Sequence, residues 1–210
     1  CGYGASGAGA LGLAIALNKA LNLKLTANQI GRIAHKAEII SKTGLGTVGP
    51  QLLGGFVITI KGGPPGDNLL DKIIISKDLI VISATKGPIE TKEIISDYTL
   101  IPKINRYGRI ALEKLILNPT IESFLENSRF FAESTGLISE DISSILKDLD
   151  KIECVKSSIC MVGKTVFTIV KENLKEKVLN TLLSYYREKE ILTTYINTSG
   201  PILMEKREWF

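Results

Sequence analysis

Apolar residues recur at helical spacing along most of this chain, and the departures from that spacing mark its strands and turns. Residues 8–22 alternate Ala, Gly and Leu in a pattern that predicts a tightly buried helix. A second helix is predicted from Thr26 to Lys42. Thr26 is a good N-cap, Ile30, Ile33, Ala34, Ala37 and Ile40 form an apolar stripe, and Gly44 supplies the stop. Strands are read at Phe56–Ile60, around Lys72–Ser76 and at Leu79–Ala84, with the glycine-rich stretch 43–55 and the loop 62–66 as turns. Beyond Lys77 the pattern changes to long helices. These are predicted at Tyr107–Leu117, from Asn118-Pro119 (N-cap and first residue) to Gly136, and from Ser139 to about Leu149. Val166–Val170 reads as a β-branched strand, Asn173 as the cap of a helix to about Lys189, and Ile191–Ile196 as a strand. The order fits an α+β fold with helices packed on one sheet face.

The densest signal precedes all of this. Gly2-Tyr3-Gly4-Ala5-Ser6-Gly7-Ala8-Gly9-Ala10-Leu11-Gly12 runs straight into the first helix. Backbone without side chains can wrap closely around a bulky ligand. A helix beginning there offers unpaired N–H groups and a positive dipole end to an anion. Gly2 to Gly7 spells G-x-G-x-x-G, yet no strand precedes it and the first acid is Glu38, so the dinucleotide fingerprint lacks its context. A tight turn with close helix packing by Gly7, Gly9 and Gly12 is the other local reading. Gly163-Lys164-Thr165 ends like a P-loop, but Ser158 stands where the first glycine belongs and a strand follows. That segment reads as an ordinary turn or as one lying beside a phosphate.

Composition narrows the classes. With 210 residues, 44% of them hydrophobic, the chain is long enough for one large or two small cored domains. The net charge of +4 is mild, but Lys19, Lys24, Arg32 and Lys36 all come before any acid and give the glycine loop a cationic neighbourhood. No dense basic run with interleaved aromatics is present, so nucleic acid is not an expected partner. No apolar run is long enough for a membrane span. Cys1, Cys154 and Cys160 have no metal-ligand spacing, and one histidine cannot complete a His-based site. Sparse thiols suit a reducing, cytoplasmic setting, with Cys154 and Cys160 as small buried hydrophobes. The chain starts at Cys1, without Met and without a strand before the glycine loop, so an N-terminally incomplete chain is expected.

Glu38 lies four after Ala34 and eight after Ile30, which turns it toward the inward face of its helix. A carboxylate there needs a cation, a hydroxyl or a metal; the alternative is a surface pair with Lys42.

Three segments in order resemble the GHMP small-molecule kinases and, within them, the archaeal pantoate kinases. They are the glycine loop, Ala34-His35-Lys36-Ala37-Glu38 leading into Thr43–Gly55, and Ser157–Phe167. The resemblance implies a ribosomal protein S5 domain 2-like ATP-binding part at 1–76, short of its first strands, and a ferredoxin-like domain at 77–210. It also implies ATP and Mg²⁺, with the γ-phosphoryl passing to the hydroxyl of pantoate or a similar hydroxy acid. Gly2, Gly4, Ala5, Ser6, Gly7, Ala8 and Gly9 would hold the phosphates. Ser6 and Glu38 would ligate Mg²⁺, and Glu38, Ser6 and Thr47 would serve the chemistry. Arg32, His35, Thr47, Gln51, Ser157, Met161 and Gly163 would face the substrate. A homodimer is left open. Two departures stand out. The Ser-Ser pair common in relatives falls near Gly7 and Ala8, and Thr47 occupies the place of an Asp, with no acid between Glu38 and Asp67. A nucleotide-dependent oxidoreductase and a non-catalytic nucleotide-binding relative remain as other classes.

Overall fold

The computed structural model describes residues 2–44, 46–87, 100–160 and 164–204. They form two compact units. One comprises Gly4–Ile74 and the described residues from Asn197 on; the other comprises Gly2, Tyr3 and Ile75–Ile196.

The first unit opens with helix α1 (Ala5–Ala20), whose cap Gly4 has φ 68°, the left-handed region that glycine adopts without penalty. Helix α2 (Ala27–Ser41) follows, with a full capping box on Thr26: its Oγ1 accepts the Gln29 N–H and Gln29 Oε1 accepts the Thr26 N–H. It ends on Lys42 at φ 54°, so Gly44 is not its stop. The glycine-rich stretch hides a six-residue helix, α3 (Val48–Leu53), closed by Gly54. Strands β1 (Phe56–Lys61) and β2 (Leu69–Ile73) pair antiparallel, with Phe56 opposite Ile73. β2 thus lies a few residues earlier than the sequence suggests. Leu11, Ile30, Ala34 and Val48 make the buried centre. The expected tight burial of α1 is confined to Gly7 and Leu11; Leu13 and Leu21 are 62% and 63% exposed. Gly9 and Gly12 face open space, so only Gly7 of the three serves close packing.

The second unit carries β3 (Leu79–Thr85), α4 (Ile101–Leu117), α5 (Ile121–Thr135), α6 (Glu140–Leu149), β4 (Ser157–Ile159), β5 (Thr165–Lys171), α7 (Lys175–Leu183) and β6 (Ile191–Tyr195). Its sheet runs β4-β5-β3-β6, all antiparallel. The first strand sits inside, between the third and fourth, which is the split β-α-β ferredoxin-like arrangement. One face presents Ile80, Ile82, Ala84, Val166 and Val170 to Ile142, Ile145, Leu146 and Leu149 of α6 and Val178 and Leu182 of α7. Contrary to a one-faced packing, α5 also meets the opposite face: Phe124 packs on Phe167, and Ser128 Oγ is 2.9 Å from Ser158 Oγ.

Several boundaries shift for local reasons. α4 begins at Ile101, ahead of Tyr107, with Pro102 in its first turn, where a missing N–H costs nothing. α5 is capped by Thr120, not Asn118, because the Thr120 hydroxyl accepts the Ser123 N–H. α7 runs only from Lys175 to Leu183, after a 3₁₀ turn at Glu172–Leu174. Among the described residues no helix is long and apolar enough to cross a membrane.

Candidate active site

The elements of the first unit converge on Glu38. α2 places it on the same inward stripe as Ala34, and only 2% of it is exposed. Its carboxylate is held from both sides. Thr43 Oγ1 donates to Oε1 at 2.8 Å, and Thr47 Oγ1 donates to Oε2 at 3.1 Å. Those hydroxyls, rather than Lys42, are its partners, and they satisfy the demand that a buried carboxylate makes. Nothing in the apolar pattern of the sequence singles out Thr43. Only its spacing of five from Glu38, just past the helix end, hinted at it.

Two glycines exist here for the acid. A Cβ on Gly7 would stand 2.6 Å from Thr47 Oγ1, 2.9 Å from Gln51 Oε1 and 3.1 Å from Glu38 Oε2. A Cβ on Gly44 would run into Glu38 Oε2. Gly44 is therefore a close-approach glycine, not a helix stop. Gly7 brings the first turn of α1 directly onto the carboxylate cluster.

That turn carries the anion-binding potential. The first intrahelical bond is Ala8 N–H to Gly4 O at 3.1 Å, so the N–H groups of Gly4, Ala5, Ser6 and Gly7 precede the helical ladder. Ala8 spends its N–H inside the helix, so of the residues expected to hold the phosphates, Gly2 and Gly4 to Gly9, the open donors of this turn are Gly4 to Gly7. No acidic residue stands in the turn to compete with an anion. Gly2 is exposed and groups with the second unit. Ser6 sits at the rim, its Oγ donating to the Thr43 carbonyl at 3.4 Å. Gln51 Nε2 donates to the Gly4 carbonyl at 2.9 Å, while its Oε1 is buried without a partner.

Other expected residues are placed differently. His35 is buried on α2, 7% exposed, one turn before Glu38. The Arg32 guanidinium is spent on the 65–67 loop: Nε donates to Pro65 O at 3.0 Å and Nη2 pairs with Asp67 at 2.6 Å. Asp67, the next acid after Glu38, is thereby engaged by a cation. Ser157 belongs to the second unit, where it is 2% exposed and its Oγ accepts from Arg129 at 3.4 Å. The same guanidinium pairs with Glu133 and Asp150, so Ser157 serves a structural network. Met161 and Gly163 lie outside the described residues.

Among the described residues no group of three acidic, histidine or cysteine side chains converges to cage a metal. The donor set is one carboxylate with hydroxyl oxygens beside it. It fits Mg²⁺, which binds through one or two carboxylates and takes its remaining oxygens from phosphates and water.

Residues 1–55 match the model of the GHMP kinases N terminal domain. The chain is 42% identical over 181 residues to the pantoate kinase of Methanocaldococcus jannaschii, a match that covers 86% of this chain and 64% of that protein. It is 38% identical over 181 residues to the pantoate kinase of Thermococcus kodakarensis, covering 86% and 59%. A solved structure described as a phosphotransferase related to the CoA biosynthesis pathway superposes with TM-score 0.81 at 35% identity, covering 95% of this chain and 64% of that one. The chain thus spans about three-fifths of the length of the relatives it matches. With its motifs in order, its α+β architecture and these likenesses, the chain belongs to the GHMP kinase superfamily.

Proposed function

We propose that the protein of which this chain is part transfers the γ-phosphoryl of ATP to the hydroxyl of pantoate, giving 4-phosphopantoate. The observation that carries this reading is the buried Glu38 carboxylate, clasped by Thr43 and Thr47 and pressed against the open N–H turn of α1 through Gly7. The acceptor is inferred from the two pantoate kinases that the chain resembles at 42% and 38% identity. Phosphoryl transfer asks mainly for positioning and charge neutralisation, and this arrangement offers both. N–H groups of Gly4–Gly7 would hold phosphate oxygens; Lys19 stands in the last turn of α1, at the far end of the helix from them, so the backbone donors rather than the early lysines carry the anion site. Glu38, with a neighbouring hydroxyl, would hold Mg²⁺, whose role is to neutralise charge on the transferring group. In the reaction the acceptor oxygen bonds to Pγ, the bond from Pγ to the bridging oxygen of ADP breaks with its electron pair going to ADP, and the hydroxyl proton passes to solvent water. On this reading 1–76 supplies the ATP-binding part and 77–210 the C-terminal domain.

A second reading, nucleotide binding without transfer, draws on Thr47. Its hydroxyl is spent on Glu38, and Asp67 is paired with Arg32, so neither is a free base. One assay separates the two. The full-length protein with Mg-ATP and pantoate is expected to form ADP and phosphopantoate in equal amounts. ADP-forming turnover only with other small alcohols would refute the pantoate assignment. Tight ATP binding with no phosphorylated product would favour the second reading.

A further inference from the structure

Gln51 is the only polar side chain of α3, and its amide is used asymmetrically. Nε2 donates to the Gly4 carbonyl at 2.9 Å, whereas Oε1 is buried with no partner and stands 2.9 Å from where a Gly7 Cβ would be. An apolar side chain of the same length would fill that space without stranding an acceptor, so the amide is held there for its donor end. The Gly4 carbonyl accepts twice, from Gln51 and from the Ala8 N–H at 3.1 Å. Because a peptide unit is planar and trans, fixing that carbonyl inward directs the N–H of the same unit, that of Ala5, the opposite way. Gly4 is at φ 68°, a conformation a glycine leaves easily when nothing pins it.

We propose that Gln51 is a positioning residue that locks the Gly4–Ala5 peptide, so that the first open N–H of α1 is aimed outward before any anion arrives. The nucleotide as the anion rests on the function proposed above; the lock itself does not. This role differs from the substrate contact that the sequence suggests for Gln51.

The test uses the full-length protein, with Gln51→Met and Gln51→Glu. Three quantities are read: ADP affinity by calorimetry, acceptor KM, and hydrogen exchange of the Ala8 amide in the ligand-free protein. Loss of one buried hydrogen bond predicts about tenfold weaker ADP binding in Gln51→Met. Acceptor KM should stay within about twofold, and Ala8 exchange should speed up. Gln51→Glu sets a carboxylate against the carbonyl and should lose more affinity; being nearly isosteric, it carries the same readouts should Gln51→Met fail to fold. Unchanged ADP affinity, or a rise confined to acceptor KM, overturns the proposal. If the wild type binds no ADP, the nucleotide reading fails, and unchanged Ala8 exchange then overturns the lock by itself.

Discussion

In the unit built on the four-stranded sheet, successive inward positions of β3 are Ile80, Ile82 and Ala84, answered by Ile145, Leu146 and Leu149 of α6. In the unit that holds Glu38, the buried apolar centre is Leu11, Ile30, Ala34 and Val48, and His35 and Glu38 are buried beside it. The first arrangement is held by area removed from water. The second depends on contacts that only glycine permits and on hydroxyls that satisfy one carboxylate. Apolar packing tolerates exchanges of similar volume, whereas a polar cluster fails when a single partner is lost. The candidate chemistry therefore sits in the unit with less packing redundancy.

Substitutions in the two units should show that difference. Glu38→Gln is expected to cost about 100-fold or more in metal-dependent turnover, because it removes the buried carboxylate that lies against the open turn. Turnover within a few-fold of wild type would remove Glu38 from the chemistry. Ile145→Ala empties a fully buried position of the sheet unit and should lower unfolding free energy by about 3 kcal/mol in urea titrations. A loss below about 1 kcal/mol would mean that the packed layer relaxes more than its burial implies. Gly7→Ala improves helix propensity but sets a methyl group against three oxygens, so a net loss of about 1–2 kcal/mol is expected. Roughly fivefold weaker ADP binding should accompany it. Stabilisation with intact ADP binding would show that the cluster yields.

The smallest expected effect is on alkaline stability. Burial pushes the Cys160 thiol up to about 11 from 9.0 and the Tyr186 hydroxyl up to about 12 from 10.0. Both folded values lie above the unfolded ones, so the neutral form is favoured in the native state. Their contribution is complete below about pH 9 and is lost as pH rises through 11 and 12. Both belong to the sheet unit, so its unfolding free energy in urea titrations should fall as pH rises from 9 to 11. An unfolding free energy that stays flat over that range would sink the assignment.

The legible parts of the fold were those with local chemistry behind them. Thr26 announced α2 through its capping box, Gly136 closed α5 at φ 77°, and the β-branched run gave β5. α3 was hidden because Gly49 and Pro50 are poor helix residues, and six residues carry no period. β2 was displaced because the apolar run continues through Ile74, which is 98% exposed. β4 was missed because its buried residues include Ser157 and Ser158, which show no apolar alternation. In the site, the inward turn of Glu38 followed from helical spacing alone. The Arg32–Asp67 pair and the Gln51 bond to Gly4 did not, because each joins segments whose meeting depends on tertiary packing; the Thr43 and Thr47 clasp did not, because it depends on how the chain turns after α2.

Gly44 offers a last consequence. It brings no functional group, yet any side chain there must displace the Glu38 carboxylate. In a saturation scan scored by activity, position 44 should be as intolerant as position 38. A protein engineer reading that scan would find a glycine ranked beside an acid. The map of such a site records the space its acid needs as well as the groups that react.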